Sequence, residues 1–387
     1  MLLERLRLRQ VGPFDLVEFP FVDGDGAVRS VTVIHGDGGT GKSTLIRAIE
    51  NTRPGHCSRT AIPRNAPPNS AVMAGWRLGD EDEERPHPLW TTTPGQSMYE
   101  DEEEERLRRR EQSLFDKLAG GGRGFVTVEF SEHRSFPRAG LSISDPARSL
   151  LKLDNRSPGF SDRSRYELTR RCKQILAYAE LSAALLGEQN VVTDLMAADS
   201  EDPAGFDPMA EDFGLPGLGE EEVGPTAADA VELDPRALRE ALHAGLGPLL
   251  ALVGHRYQGL DPLSFEPLFE TADGRLLHFD EMAKQARHLA SFAIVGAHTL
   301  WAGTGGRDPR EAEGVLLVDE IEMHLQPRVA AGVVDALRGA FPRAQWILTT
   351  ASPLVAASVD PRELMAVRRL PGQSSVELYA QKLAQTH

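Results

Sequence analysis

The chain has 387 residues, of which 41% are hydrophobic, and a formal net charge of −16. This length allows one large domain or two ordinary ones, and the acidic balance disfavours general binding to DNA or anionic membranes. Two cysteines provide neither a disulfide framework nor a zinc spacing, so a reducing, cytoplasmic location is expected. No apolar stretch resembles a signal peptide or reaches the ~18 residues that span a bilayer, so no membrane association is expected.

The N-terminal part reads as β-strands followed by a phosphate-loop-like segment. The predicted elements, in chain order, are strands within residues 2–34 with a hairpin turn at 24–26, a glycine-rich loop at 36–41, a helix at 42–50, a loop at 51–70 and a short strand at 71–76. A block of acidic and then basic residues follows at 100–110. It predicts a solvated helix or flexible insert, with a partner-docking surface as the alternative.

The rest of the chain alternates helical and strand-like segments around an acidic stretch. The first predicted elements are a strand at 125–130, a helix at 162–186 and an acidic linker at 197–232. One helix then starts at Asp234-Pro235, and another spans 280–302. The last elements are a strand at 315–318, a helix at 327–339, and strands at 346–349, 364–367 and 376–378. A strand–loop–helix unit therefore opens the chain and a strand–helix–strand unit nearly closes it. No internal repeat is evident.

The glycine-rich loop fits the pattern G-x-x-x-x-G-K-[ST] completely. Its residues are Gly36, Asp37, Gly38, Gly39, Thr40, Gly41, Lys42, Ser43 and Thr44. Backbone amides of such a loop and the following helix N-terminus bind phosphate. Lys42 is expected to reach the β- and γ-phosphates of ATP, and Ser43 to place its hydroxyl on Mg²⁺. A glycine-rich turn without function does not account for the Lys-Ser pair.

Four apolar residues at 315–318 precede two acids, Asp319 and Glu320. A continuous apolar run predicts a buried parallel strand, and the carboxyl ends of such strands are where open α/β sheets bind ligands. Asp319 is expected to hold Mg²⁺, directly or through water. Glu320 is expected to orient or deprotonate the attacking water as the catalytic base.

The segment from Asp319 to Pro327 resembles the D-E-x-E-x-H-L-x-P stretch of RecF/SMC-like ABC ATPases, which include the ATPase domains of OLD nucleases and many bacterial defence ATPases. Residues 347–353 and the opening strands are similar to the same group. The resemblance implies a mixed α/β sheet flanked by helices, an N-terminal antiparallel β-subdomain and an inserted helical lobe. The expected division is 1–150 for the N-terminal ATPase lobe, 151–265 for the helical insertion and 266–387 for the C-terminal ATPase lobe.

The resemblance also implies a composite site between two ATPase domains. This chain carries one phosphate loop, so a homodimer or a related ATPase subunit is expected, with Glu322 and His324 at the interface. A histidine packed at its own turn is the plainer interpretation of His324.

Three departures from the family pattern stand out. Ala351 replaces the switch histidine, which implies slow hydrolysis or a substitute residue. The region at 279–290 lacks the Ser-Gly pair of the signature motif. Lys284 or Arg287 could supply positive charge there, although an ordinary amphipathic helix with Asp280 as its N-cap explains the segment equally. Gln96 is a weak candidate for the glutamine loop.

Three functions remain open at this point. The leading hypothesis is an ATPase that acts as a nucleotide-driven switch for a partner effector, a nuclease or toxin encoded nearby, in anti-phage defence; this partner follows from family analogy. The second is a RecF-like DNA-repair ATPase that binds DNA directly. Its candidate contacts are the basic residues Arg5, Arg7, Arg9, Arg106, Arg108, Arg109, Arg110, Arg163, Arg165, Arg170, Arg171 and Lys173. The third is a hydrolysis-poor scaffold that holds ATP.

Overall fold

The structure is a computed structural model. It describes residues 1–77, 89–93, 106, 109–110, 113, 125–144, 159–161, 168–198, 233–369, 372 and 375–379, with the side chains of 188–198 excepted. Gln96, most of the charge block at 100–110 and the acidic linker beyond residue 198 lie outside the described residues. Among the described helices, none is both long and apolar enough to cross a bilayer.

The described segments form fourteen strands and seven α-helices. The strands are β1 (Leu2–Val11), β2 (Phe14–Pro20), β3 (Val31–His35), β4 (Ala71–Arg77), β5 (Leu89–Thr92), β6 (Thr127–Phe130), β7 (Gly159–Ser161), β8 (His255–Leu260), β9 (Pro267–Thr271), β10 (Leu276–His278), β11 (Val315–Val318), β12 (Gln345–Thr350), β13 (Leu364–Arg369) and β14 (Val376–Leu378). The helices are α1 (Lys42–Glu50), α2 (Leu168–Ala198), α3 (Pro235–Ala251), α4 (Lys284–Gly303), α5 (Pro327–Ala330), α6 (Val333–Ala340) and α7 (Pro353–Ala357).

A seven-stranded sheet lies at the centre, in the order β14-β13-β3-β12-β11-β6-β7. The strands from β13 to β7 pair in parallel, whereas β14 is antiparallel to β13. Parallel pairing brings the carboxyl ends of β3, β12, β11 and β6 to one edge of the sheet, where α/β folds bind ligands. The residues that follow these four strands therefore share one region of the molecule.

One face of the central sheet packs on α1 and on a second, antiparallel sheet of order β2-β1-β4-β5. Leu6 and Leu8 of β1, Leu45 of α1, and Val315 and Leu317 of β11 belong to a single buried apolar cluster on this side. The alternating apolar residues of β1 thus point inward. This is the expected N-terminal antiparallel β-subdomain.

The opposite face is covered by α2, α3, α4 and α6. Helix α4 is the centre of this layer, and almost all of its residues from Ala286 onwards are buried. Helices α2 and α3 precede β8 in the chain, in the region where helices were expected. The predicted α/β architecture is confirmed: a mixed sheet is flanked by helices and accompanied by an N-terminal antiparallel sheet.

A third sheet, of antiparallel order β10-β9-β8, was not predicted. Strand β8 reads His-Arg-Tyr-Gln-Gly-Leu, and Tyr257 is its one residue that is buried in the core. The strand therefore lacks the apolar alternation by which a strand is recognised in a sequence. The domain boundary expected at 265/266 falls between β8 and β9, two strands that pair with each other. The three-part division itself remains a prediction.

Two helix predictions need correction. Asp280 is not the N-cap of the helix: it lies in a 3-10 turn at Phe279–Glu281, and α4 begins at Lys284 after Ala283. The helix expected at 327–339 is divided into α5 and α6, which meet at Gly332. A Cβ there would lie 3.0 Å from the Leu252 side chain, so glycine allows close packing, and glycine weakens a helix interior. The N-cap expected at Asp234 is confirmed, because its carboxylate accepts a hydrogen bond from the amide of Arg236.

Candidate active site

The glycine-rich loop connects β3 to α1, and close packing dictates its glycines. A Cβ at Gly36 would lie 2.6 Å from the carbonyl oxygen of Val367. Gly41 has a φ of +89°, and a Cβ there would meet the Phe14 ring at 2.7 Å. Both positions therefore exclude larger residues, and the loop curls tightly before the helix.

Lys42 is buried, and its ammonium folds back over the loop. Its Nζ donates to the carbonyl oxygen of Gly36 at 2.6 Å and to that of Asp37 at 2.9 Å. An ammonium donates three hydrogen bonds, so these two do not exhaust it. The Thr40 hydroxyl also donates to the carbonyl oxygen of Asp37, at 2.8 Å. The loop is therefore held in a defined shape by its own side chains.

Ser43 and Asp319 meet across the sheet edge. Asp319 follows β11 and is buried, its carboxyl group accepts a hydrogen bond from the Thr349 hydroxyl, and the Ser43 hydroxyl lies near enough to act on its pKa. Burial raises the pKa of Asp319, the two hydroxyls oppose that shift, and the charge of Glu132 reinforces it. The two side chains expected to hold Mg²⁺ are thus brought together.

Glu132 is a third member of this group that the sequence did not single out. It follows β6, the strand that pairs with β11, and its carboxylate lies near enough to that of Asp319 for each to act on the pKa of the other. Burial alone would raise the pKa of Glu132. A hydrogen bond from its own backbone, the interaction with Asp319 and the charges of His133 and Arg47 together lower it.

These groups fit a hard divalent cation. Two carboxyl groups and a serine hydroxyl are oxygen donors, which Mg²⁺ prefers. Among the described residues, no cluster of three His, Cys, Asp or Glu side chains forms a metal cage.

Glu320 lies next to Asp319, but its side chain is exposed to solvent. Its φ is +48°, in the left-handed region that costs a non-glycine residue about 1–3 kcal/mol. The amide of Glu320 donates to the Thr349 hydroxyl at 2.9 Å, and the same hydroxyl donates to Asp319. Thr349 thus ties the two acids to each other.

Glu322 contacts the turn after β12 within the same chain. Its carboxylate accepts hydrogen bonds from the Thr350 hydroxyl at 2.8 Å and from the Ala351 amide at 2.7 Å. His324 is exposed, has a φ of +64°, and its ring lies 4.9 Å from that of His288 in α4. The interface role expected for Glu322 and His324 remains a prediction.

The two expected signature substitutes differ in their surroundings. Lys284 is exposed at the first turn of α4, and with burial it lowers the pKa of His324, so it lies near that histidine. Arg287 donates to the carbonyl oxygen of Phe136 at 3.0 Å and lies over the Phe136 ring. Arg287 is thus engaged within the fold, whereas Lys284 points to solvent beside the segment that follows Glu320.

Arg134 is, after Glu132, a second residue of the site that the sequence did not single out. It is buried, and its guanidinium donates to the carbonyl oxygens of Asp319 at 2.6 Å and Glu320 at 2.9 Å. No local pattern marks it, because its partners come from strands distant in the chain. Glu132, Arg134 and Thr349 all follow or end strands next to β11, which is the only signal that could have found them.

Several of the basic residues considered for DNA binding are engaged in the fold. Lys173 is buried, with its ammonium 2.6 Å from Asp280 and 3.0 Å from Glu266. Arg7 of β1 pairs with Glu18 at 2.6 Å, and Arg5 pairs with the same carboxylate. Arg108, Arg163 and Arg165 lie outside the described residues.

Sequence comparison finds ATPases of bacteria. The chain is 36% identical over 63 residues to the retron Vc95 probable ATPase of Vibrio cholerae, an alignment that covers 16% of this chain and 12% of that protein. It is 38% identical over 74 residues to the Septu protein PtuA of Bacillus mycoides, covering 16% and 10%, and 26% identical over 129 residues to PtuA of Bacillus thuringiensis, covering 30% and 32%. No family model matches the chain.

The matched regions thus span between a tenth and a third of these relatives. Among solved structures, an SMC head bound to the C-terminal winged-helix domain of ScpA aligns over 99% of the chain with 15% identity and a TM-score of 0.49. The SMC head of Thermotoga maritima aligns over 98% with 13% identity and a TM-score of 0.43. The expected resemblance to ATPases of bacterial defence systems is confirmed by the retron and Septu relatives.

Proposed function

We propose that this chain binds ATP with Mg²⁺ and hydrolyses it, as a nucleotide-driven switch for a partner effector. The observation that carries the proposal is the grouping of Ser43, Asp319 and Glu132 beside the phosphate loop. It supports the proposal because a hydroxyl on the helix that follows the loop and two acids on neighbouring strands form the oxygen-donor set of an ATPase.

The proposed roles follow from the positions of the side chains. The loop amides and Lys42 bind the phosphates, and Ser43 and Asp319 hold the metal, with Glu132 next to it. Bound Mg²⁺ supplies a positive charge that neutralises developing charge on the phosphate oxygens. Glu320, exposed beside Asp319, orients and deprotonates the attacking water.

Slow turnover is part of the proposal. Ala351 has no side chain that could donate to the γ-phosphate region, and a preorganised donor is worth a factor of about 10²–10³ in rate. The turn that carries Ala351 is held by Glu322, so the backbone is ordered although the histidine is absent. A slow enzyme keeps its ATP-bound state long enough to signal.

The proposed partners are a second copy of this chain or a related ATPase, and an effector protein such as a nuclease or toxin, in anti-phage defence. The exposed His324 and Lys284 support an interface on this side of the molecule. The sequence similarity to retron and Septu proteins supports the defence setting. The effector rests on analogy with the group, since function is carried by sites rather than by folds.

Measured turnover of the purified chain tests the proposal. We expect Mg²⁺-dependent ATP binding and hydrolysis, and Glu320→Gln should keep binding while its rate falls by a factor of about 10²–10⁴. Glu240→Gln, an exposed glutamate of α3, is the matched control and should leave the rate unchanged. Failure of the wild-type protein to bind ATP in the presence of Mg²⁺ would overturn the proposal. Binding without turnover, alone and with the second ATPase subunit, would leave an ATP-holding scaffold in its place.

A further inference from the structure

The segment after β6 inserts one buried arginine beneath the turn that carries Asp319 and Glu320. Nη1 of Arg134 donates to the carbonyl oxygens of Asp319 at 2.6 Å and of Ser131 at 2.7 Å. Nη2 donates to the carbonyl oxygen of Glu320 at 2.9 Å. Because the guanidinium is a rigid planar fork, two consecutive carbonyls of the turn are fixed relative to each other.

The same guanidinium also contacts helix α4. Nε of Arg134 lies 3.3 Å from Nδ1 of His288, and the Arg134 Cζ atom lies 5.6 Å from the centre of the Phe292 ring. Burial, together with the charges of Arg134, His324, Lys284 and Arg287, lowers the pKa of His288 to about 2. The imidazole is therefore neutral, and a neutral imidazole can accept the hydrogen bond that Arg134 donates.

A second contact joins α4 to the same turn. The rings of His288 and His324 lie 4.9 Å apart, and His324 has a φ of +64°. Glu320, with a φ of +48°, occupies the same strained region. The turn from Glu320 to His324 thus contains two residues in a conformation that persists only when surrounding contacts hold it.

We propose that Arg134 is a positioning residue that couples helix α4 to the turn bearing Glu320, and so sets the place of the Glu320 carboxylate during hydrolysis. The inference rests on the proposed function. Arg134 touches backbone oxygens, so its effect on the reaction passes through Glu320. Helix α4 begins at Lys284, in the region where the family resemblance expects the signature motif, and a shift of this helix moves the guanidinium and with it both carbonyls.

The test compares Arg134→Lys with Arg138→Lys in the full chain. Lysine keeps the charge but lacks the fork, so we expect kcat to fall by a factor on the order of 10–100, as for a misplaced catalytic group. ATP affinity should change less than about twofold, because the phosphate loop is untouched. Arg138 is exposed in the same segment, and its variant should match the wild type.

A double variant separates positioning from a merely structural role. If Arg134 acts through Glu320, Arg134→Lys should lower kcat in the wild-type background and have little further effect in the Glu320→Gln background. Losses that multiply in the double variant, or a folded Arg134→Lys protein with unchanged kcat, would overturn the inference. A wild-type protein without ATP turnover would overturn the proposed function first, and this inference with it.

If Arg134→Lys does not fold, variants of His288 test whether α4 is coupled to the turn that bears Glu320. Asparagine can place its side-chain oxygen near the position of Nδ1, whereas leucine removes the acceptor. We expect His288→Leu to lower kcat and His288→Asn to retain most of it, with ATP affinity unchanged in both. Equal kcat in the two variants would show that α4 is not coupled to the turn through this hydrogen bond.

Discussion

The carboxylate of Glu322 accepts a hydrogen bond from the backbone amide of Ala351 at 2.7 Å, and from the Thr350 hydroxyl at 2.8 Å. This contact joins the segment after the two acids to the turn that follows β12. In the resembling family a histidine occupies the position of Ala351. The turn is therefore ordered by a carboxylate from a neighbouring segment, while the side chain that would reach the phosphates is missing.

Restoring that side chain should speed the reaction. Ala351 is exposed, so a histidine fits without displacing packed atoms. We expect Ala351→His to raise kcat about tenfold or more, because a positioned donor stabilises charge that develops on phosphate. Steady-state ATP turnover measures the effect, with Ala357→His, exposed at the end of α7, as the control. A rate equal to that of the wild type would mean that this turn lies too far from the phosphates to take part.

Removing the charge of Glu132 should weaken the dependence on metal. The carboxylate interacts with that of Asp319 and lies 3.3 Å from Arg47. Groups that support a metal ligand typically contribute a factor of about 10–100 in metal affinity. We expect Glu132→Gln to need a correspondingly higher Mg²⁺ concentration for half-maximal ATP turnover, measured by Mg²⁺ titration. Glu240→Gln should not shift the Mg²⁺ titration curve. An unshifted curve for Glu132→Gln would mean that Glu132 pairs with Arg47 but does not support metal binding.

Lys173 should matter for stability rather than for DNA. It is buried between Glu266 and Asp280, and its loss leaves two half-buried carboxylates without their cation. Breaking such a buried cluster costs about 3–5 kcal/mol. We expect Lys173→Met to lower the free energy of unfolding in urea by that amount, and Arg170→Met, exposed on the same helix, to change it little.

The contrary outcome for Lys173 is equally clear. A stable Lys173→Met protein that loses salt-dependent affinity for a short DNA duplex would favour the RecF-like alternative, since phosphate contacts weaken with salt.

Glu180 should make stability depend on pH in the acid range. Burial alone would raise its pKa, but the hydrogen bond and charge of His243 and the charge of Arg239 lower it below its ordinary value of 4.5. A lowered folded-state pKa adds stability that is present above pH 4.5 and lost as the pH falls through the folded-state value. Because Arg239 is half exposed, we expect Glu180→Gln to cost only about 1 kcal/mol at pH 7.

Urea unfolding of the wild type and of Glu180→Gln at pH 7 and near pH 4 measures this effect. The difference between the two proteins should shrink at the lower pH. Glu240→Gln, exposed on α3, serves as the control at both pH values. A difference that grows on acidification would contradict the assigned direction of the pKa shift.

Local sequence was enough to locate the elements whose pattern lies in consecutive residues. The loop from Gly36 to Ser43 and the strand at 315–318 were located because glycine spacing and an unbroken apolar run act over neighbouring residues. The three-stranded sheet at 255–278 was missed because its strands are short and polar. Their stability depends on Tyr257 and Phe269, which pack into the apolar core. Asp280 was misassigned as a cap because its carboxylate pairs with Lys173, which is distant in the chain.

Consecutive residues alone indicate a phosphate-loop motif and a buried strand that ends in two acids. The side chains that surround these two segments follow from the folded arrangement of the strands. Strand order places β6 and β12 on either side of β11, and this brings Glu132, Arg134 and Thr349 to Asp319 and Glu320. Hydrogen bonds between groups separated by up to 186 positions depend on that order, which no local pattern encodes.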